Sequence, residues 1–142
     1  MRLGFLGSPP FAVHVLDELV DHGHDVALVV TRPDKRRGRG AATSPTAVKA
    51  AATRRGIDVT EDVADLAGAG VELGVVVAYG AIVPAPVLDV VPMLNLHFSL
   101  LPRWRGAAPI ERAILAGDAR TGVCVMGLEP ALVERPHQQL AP

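Results

Sequence analysis

The sequence predicts an α/β fold in which a Rossmann-like, mostly parallel sheet carries helices on both faces. Apolar runs such as Val75-Val76-Val77 are continuous and do not alternate with polar residues, which is typical of strands buried on both faces. These runs alternate along the chain with segments of helical periodicity, the order expected when helical crossovers join parallel strands. The 142 residues suit one domain, and 49% hydrophobic but only 4% aromatic residues predict a largely aliphatic core.

Caps and chain breakers delimit the elements of the first half. Ser8 is a typical helix N-cap, and the prolines after it are tolerated in a first helical turn. Apolar residues then recur at helical spacing until Gly23 stops the helix. Ser44 and Pro45 start a second helix that ends near Gly56. The elements expected here are strands over 3–6, 25–31 and 57–60, a basic glycine-rich loop over 32–43, and the two helices.

The second half continues the alternation, and Gly117 ends its last helix. Ligands of such sheets bind beyond the carboxyl ends of the strands, so the loops that follow strands should share one edge. Those loops begin at Gly7, Arg32, Tyr79 and His97. The elements expected here are helices over 61–69, 84–90 and 108–116 and strands over 73–78, 93–97 and 122–126.

Composition and charge narrow the class of protein. The net charge of −1 gives no overall attraction to nucleic acid or membrane, so any such attraction has to be local. Cys124 is the only cysteine and lies in an apolar run, which predicts a buried thiol in a reducing compartment. There is no secretory signal, and no apolar run approaches the roughly 20 residues of a membrane span. We therefore expect a cytoplasmic protein with no membrane partner and no obligate protein partner.

Asn95 and His97 are the candidate catalytic residues. They lie two positions apart on a strand, so their side chains point to one face. An imidazole can accept a proton and an amide N–H can donate to a developing oxyanion, and acyl transfer needs both. The alternative is a polar pair that only satisfies backbone groups at a strand end. The loop that follows favours chemistry, because it combines arginines and prolines with Trp104 and Gly106.

A family resemblance covers residues 1–130. The segment from Asn95 to Pro102, the string Trp104-Arg105-Gly106-Ala107-Ala108-Pro109-Ile110 and the pairs Gly117-Asp118 and Thr121-Gly122 resemble the formyltransferase domain of the methionyl-tRNA formyltransferases. Further matches are Gly7-Ser8-Pro9, Thr31-Arg32-Pro33-Asp34 with the glycines of the basic loop, and Val77-Ala78-Tyr79-Gly80.

The resemblance implies transfer of a formyl group from 10-formyltetrahydrofolate to the amine of initiator methionyl-tRNA, without a metal. His97 would be the acid/base or would polarise the formyl oxygen, and Asn95 would stabilise the oxyanion. The folate-binding residues would be Ser99, Leu100, Leu101, Pro102 and Tyr79, although Tyr79 also suits a packing role.

The basic loop is the candidate tRNA contact. Five of the 14 basic residues fall within nine positions, and the resemblance assigns them to phosphates of the acceptor end. The alternative is a solvated charge run. His22 and His24 flank a turn and are interpreted as surface residues, not metal ligands. The candidate tRNA-binding residues are Arg32, Lys35, Arg36, Arg37 and Arg39.

The resemblance fails at the C-terminal end. Val133 stands where the family has its third catalytic residue, an aspartate, and valine cannot hold an imidazolium. We therefore expect a partial catalytic domain over 1–130, a disordered tail over 131–142, no C-terminal tRNA-binding domain, and impaired activity. A truncated or frameshifted product and a natural short relative both remain open. So do two other functions: an amino-sugar or other 10-formyltetrahydrofolate-dependent formyltransferase, and a non-catalytic folate- or RNA-binding module.

Overall fold

A six-stranded sheet forms the centre of the protein. The structure is a computed structural model that describes residues 1–36 and 43–129. Strands follow the order β5-β2-β1-β6-β7-β8 across the sheet, and all neighbours are parallel except β7 and β8. A two-stranded antiparallel ribbon, β3 with β4, lies apart from it. The strands are β1 (Arg2–Gly7), β2 (Asp25–Val30), β3 (Lys35–Arg36), β4 (Thr43–Ser44), β5 (Asp58–Thr60), β6 (Leu73–Val77), β7 (Met93–His97) and β8 (Cys124–Gly127).

Helical segments cover both faces of the sheet, as the sequence predicts. Under α1 and α2, Phe5 and Leu16 pack with Val48 in one fully buried cluster. On the opposite face, Leu6 and Leu66 belong to a second cluster that contains residues of α3 and the 3₁₀ helix. The predicted α/β class is therefore confirmed. The helical segments are α1 (Pro10–Asp21), α2 (Ala47–Arg54), a 3₁₀ helix (Val63–Gly68), α3 (Ala85–Leu88) and α4 (Pro109–Leu115).

Two helix starts differ from the sequence prediction. Pro9 is the N-cap of α1, and the Ser8 hydroxyl instead contacts Thr31 and the carbonyl of Tyr79. Ser8 therefore ties strand ends together rather than capping a helix. Thr46 caps α2 through a 3.1 Å hydrogen bond from the Lys49 amide, so this helix begins after the predicted Ser44-Pro45 start.

Three further elements differ in type. The segment expected as a helix over 61–69 is a 3₁₀ helix. Leu66 of this helix packs close to strand β1 because Gly4 has no side chain: a Cβ there would lie only 2.6 Å from Leu66 Cδ2. The basic loop contains the ribbon of β3 and β4 at its two ends. The last strand, β8, is antiparallel to β7, although no sequence pattern indicated a change in strand direction. Pro130 and the tail over 131–142 lie outside the described residues.

Candidate active site

The carboxyl end of β7 carries both candidate catalytic residues. Asn95 lies beside Met126 of β8 in the strand register. Because alternate strand residues point to opposite faces, Asn95 and His97 share one face while Leu96 packs against the cluster under α1 and α2. Both polar side chains are half-buried and line one cavity of about 700 Å³.

The wall of this cavity combines apolar surface with a few polar groups. A volume of about 700 Å³ lies within the usual range of small-molecule sites. Two of the expected folate-binding residues, Leu101 and Pro102, are part of the wall, and the Leu101–Pro102 peptide bond is cis. The cavity is lined by Asn95, His97, Leu101, Pro102, Arg105, Gly106, Met126 and Leu128.

Ser99 and the loop over 99–106 hold the His97 ring. His97 Nδ1 lies 2.9 Å from Ser99 Oγ, and Nε2 lies 3.2 Å from the carbonyl oxygen of Gly106. Ser99 is fully buried and donates its hydroxyl proton to the carbonyl of Arg103 at 2.7 Å. Ser99, expected to bind folate, therefore lies behind His97 and is not among the residues that line the cavity.

Asp118 contacts the loop over 99–106, although the sequence analysis assigned it no role. It accepts from Trp104 Nε1 at 2.6 Å and from Arg103 Nε and Nη2 at 2.8 and 2.5 Å. The Arg103 guanidinium also lies 4.6 Å from the centroid of the Trp104 ring. The hydrogen bond from Arg103, followed by that from Trp104, lowers the pKa of Asp118 below its ordinary 3.8. Two sequence signals could have found it: its place after the helix-ending Gly117 and the resemblance of the pair Gly117-Asp118 to the family.

The remaining two expected folate-binding residues lie away from the cavity wall. Leu100 is about half exposed and contacts Gly122, where a Cβ would lie 2.6 Å from Leu100 Cδ2. Tyr79 is buried at the end of β6, and burial is the largest cause of its raised pKa, partly offset by Arg32. Ser8 contacts both the Tyr79 carbonyl and Thr31, which confirms that loops after β1, β2 and β6 meet at one edge.

Only part of the basic loop is described. Arg32 and Lys35 are exposed, and the Arg32 amide donates to Ser8 Oγ at 3.2 Å. The positions of Arg37 and Arg39 and the side chain of Arg36 lie outside the described residues. An ion pair that the sequence did not reveal anchors the start of this loop: Lys49 Nζ contacts both carboxylate oxygens of Asp34 at 3.0 Å. The hydrogen bond with Asp34 is the largest cause of the raised pKa of Lys49.

A second, smaller cavity of about 300 Å³ lies where the start of α4 approaches the start of α1. Phe11 and Phe98 meet here in an edge-to-face pair with ring centroids 5.0 Å apart. No sequence pattern predicted this cavity. It is lined by Pro9, Phe11, Ala78, Phe98, Ala108, Pro109, Ile110 and Glu111.

Metal-ligating side chains do not gather anywhere in residues 1–36 and 43–129. Within these ranges no three or more His, Cys, Asp and Glu side chains cluster in a way that could hold a metal ion. None of the helices in the same ranges combines the length and the apolar character that crossing a membrane requires.

Comparison with known proteins identifies relatives of this fold and site. The methionyl-tRNA formyltransferase of Dechloromonas aromatica is 51% identical over 93% of this chain and 46% of its own length. That of Roseobacter denitrificans is 50% identical over 93% of this chain and 47% of its own length. The chain thus spans about half the length of these relatives.

Solved structures show the same fold at lower sequence identity. Glycinamide ribonucleotide transformylase 1 from Symbiobacterium toebii superposes with a TM-score of 0.70 at 23% identity, covering 92% of this chain and 66% of that one. A sugar N-formyltransferase from a Shewanella species gives a TM-score of 0.59 at 15% identity, covering 92% and 52%. The profile described as formyl transferase matches residues 1–132. The chain therefore belongs to the formyl transferase family.

Proposed function

We propose that the protein transfers a formyl group from 10-formyltetrahydrofolate to the α-amine of initiator methionyl-tRNA. The observation that carries this proposal is the convergence of Asn95 and His97 on one cavity at the end of β7. Relatives with 51% and 50% identity are named for this reaction, which supports the choice of acceptor. The proposed compartment is the cytoplasm, where translation begins.

The larger cavity fits the formyl donor. Leu101, Pro102 and Met126 offer an apolar surface to a flat ring system, and Arg105 offers a planar cation to a carboxylate. When bound, 10-formyltetrahydrofolate supplies an activated formyl group. In this proposal Leu101 and Pro102 contact the donor directly. The other three candidate residues, Ser99, Leu100 and Tyr79, shape the surroundings of that site.

His97 and Asn95 divide the chemistry between them. Attack by an amine on a formyl carbon requires loss of a proton from nitrogen and places negative charge on the formyl oxygen. The Asn95 carboxamide donates an N–H to that oxygen, which stabilises the charge as it develops. His97 Nε2, beside Gly106 at the cavity wall, accepts the proton and returns it to N10 of the donor as the bond between N10 and the formyl carbon breaks, which releases tetrahydrofolate. This division needs both side chains on one face of β7.

The second cavity and the basic loop provide for the acceptor. Phe11, Phe98 and Ile110 give the smaller cavity an apolar wall, which suits an unbranched thioether side chain. The exposed side chains of Arg32 and Lys35, in the loop after β2, suit the phosphates of a tRNA acceptor end. The proposed tRNA-binding residues are Arg32, Lys35, Arg36, Arg37 and Arg39.

We expect the 142-residue chain to be slow. Val133 lies outside the described residues, so its assignment to the place of the family's aspartate rests on sequence alone. A missing residue of this type, which orients the catalytic base, costs about four orders of magnitude in a Ser-His-Asp hydrolase. The assay therefore uses single-turnover conditions, with the protein in excess over the acceptor.

The test offers three acceptors with 10-formyltetrahydrofolate: methionyl-tRNA, glycinamide ribonucleotide and a nucleotide-linked amino sugar. We expect slow formylation of methionyl-tRNA alone and a faster reaction in a Val133→Asp variant. Transfer to either of the other amines would contradict the proposed acceptor. Binding of the donor without transfer to any acceptor would contradict catalysis and would favour a folate-binding module.

A further inference from the structure

The carboxylate of Asp118 connects to the His97 ring through a short series of contacts. Asp118 accepts two hydrogen bonds from Arg103 and one from Trp104. The carbonyl of Arg103 accepts the hydroxyl proton of Ser99, and Ser99 Oγ lies 2.9 Å from His97 Nδ1. Every contact in this series is 2.9 Å or shorter, so none is longer than an ordinary hydrogen bond.

The direction of these hydrogen bonds influences which nitrogen of the neutral imidazole carries the proton. The Ser99 hydroxyl has one proton, which it donates to the Arg103 carbonyl at 2.7 Å. Ser99 Oγ can then only accept from His97 Nδ1, so this contact favours the neutral ring with its proton on Nδ1. The Gly106 carbonyl oxygen, 3.2 Å from His97 Nε2, is also only an acceptor, so that contact favours a proton on Nε2, and in the neutral ring the two contacts compete for one proton. A proton taken up by Nε2 therefore meets an acceptor already in place.

The end of helix α4 fixes Asp118 itself. The Asp118 amide donates to the Ala113 carbonyl and the Gly117 amide donates to the Ile114 carbonyl, both at 3.0 Å. With Gly117 at φ +67°, these two bonds form a Schellman motif. The Asp118 side chain is 12% exposed, against 60% for its partner Arg103. Asp118 is thus the fixed partner and Arg103 the one it orders.

Trp104 requires such an anchor. Its backbone has φ +58°, the left-handed region that side chains with a Cβ rarely adopt. The hydrogen bond from its indole to Asp118 and the stacking of Arg103 on its ring hold it in that conformation. The next two residues, Arg105 and Gly106, line the cavity, so the anchor also sets that part of the wall.

We propose that Asp118 is a positioning residue for His97: by holding Arg103 and Trp104, it keeps the Arg103 carbonyl under Ser99 and thereby favours the neutral form of the ring with its proton on Nδ1. The identification of His97 as the proton acceptor rests on the proposed function. The balance between the two neutral forms of the ring does not, because it depends on hydrogen bonds within the protein alone.

The test is nuclear magnetic resonance on the ¹⁵N-labelled chain. Trp104 is the only tryptophan, so its indole N–H gives a single signal that needs no further assignment. The ring nitrogens of His97 are assigned by their loss in His97→Asn, and their shifts report which nitrogen carries the proton. The variants are Asp118→Ala, Asp118→Asn and Arg103→Ala. Asp58→Asn, in strand β5 at the opposite edge of the sheet, is the matched control.

We expect Asp118→Ala to move the indole signal and to change the ratio of the two neutral His97 forms about fivefold, the effect of losing one ordinary hydrogen bond. Asp118→Asn and Arg103→Ala should produce smaller changes of the same sign. Ser99→Ala should change the His97 ratio and leave the indole signal in place. Asp58→Asn should change neither.

An indole signal that moves in Asp118→Ala while the His97 ratio stays constant would overturn the proposal, because Asp118 would then anchor only Trp104. If Asp118→Ala fails to fold, the same two signals are read in Arg103→Ala. This variant should fold, because the Arg103 side chain is 60% exposed. Neither readout involves formyl transfer. A constant His97 ratio therefore overturns the positioning role alone, and absence of transfer in the acceptor assay overturns the proposed function alone.

Discussion

The two halves of the sheet are stabilised differently. Around β1 and β2, side chains such as Phe5, Leu16 and Val29 are completely buried under α1 and α2. Around β7, β8 and α4, large apolar side chains are exposed, among them Leu115 at 87% and Val125 at 63%. In that second half, the hydrogen bonds from Trp104 to Asp118 and from Ser99 to Arg103 add to the packing of the core. The first half therefore carries the stability, and the second half carries the site.

The largest expected effect is on stability in the first half. Phe5→Ala should reduce the free energy of unfolding by about 3–5 kcal/mol, because Phe5 is fully buried and its loss leaves a cavity. Leu115→Ala, in the exposed part of α4, should change it by less than about 0.5 kcal/mol. Urea unfolding followed by circular dichroism measures both. Equal losses in the two variants would remove the distinction between the halves.

The next effect is on chemistry in the second half. Asn95→Ala should slow formyl transfer about 100- to 1,000-fold, because it removes one donor to the developing oxyanion. Its side chain is half-buried at the cavity wall, so the unfolding curve should move little. Single-turnover rates and urea unfolding on the same preparation separate the two quantities. A variant that is destabilised but transfers at the original rate would show that Asn95 is structural.

A smaller effect concerns the basic loop. The double substitution Arg32→Glu and Lys35→Glu should weaken tRNA binding. It should also reduce the slope of the logarithm of the binding constant against the logarithm of salt concentration by about 1 for each phosphate that the loop no longer neutralises. Both residues are exposed, which makes loss of folding an unsuitable explanation for weaker binding. Filter binding over a series of salt concentrations measures the slope. An unchanged slope would show that these residues do not contact tRNA phosphates and would favour the alternative of a solvated charge run.

The smallest effect is the pH dependence of the Asp118 hydrogen bonds. Their stabilising contribution is fully present above the ordinary carboxyl pKa of 3.8 and is lost as the pH falls through the lower folded pKa of Asp118. Fluorescence of Trp104, the only tryptophan, should therefore show a transition with a midpoint below 3.8. Asp118→Asn should lack this transition. A midpoint above 3.8 would contradict the charge-assisted bonds from Arg103 and Trp104.

Sequence patterning predicted the first half of the fold better than the second. The continuous apolar strands and Gly23 indicated the sheet and the end of α1, because burial and positive φ leave strong local signals. The direction of β8 and the ion pair of Lys49 with Asp34 depend on contacts between segments distant in sequence, which no local pattern contains.

The candidate site divides in the same way. Asn95 and His97 could be predicted because the period of a strand places residues two apart on one face. The role of Ser99 behind the ring and that of Asp118 under Trp104 could not be predicted. Both depend on the path of the loop, which includes a left-handed Trp104 where sequence predicts no such conformation.

The most direct test of the central claim is the single-turnover rate of formyl transfer to methionyl-tRNA in His97→Asn, compared with His24→Asn at an exposed turn. If His97 accepts the proton of the attacking amine, its loss should slow transfer by at least about 100-fold, while His24→Asn retains the original rate. Equal rates in the two variants would contradict the assignment of chemistry to the end of β7.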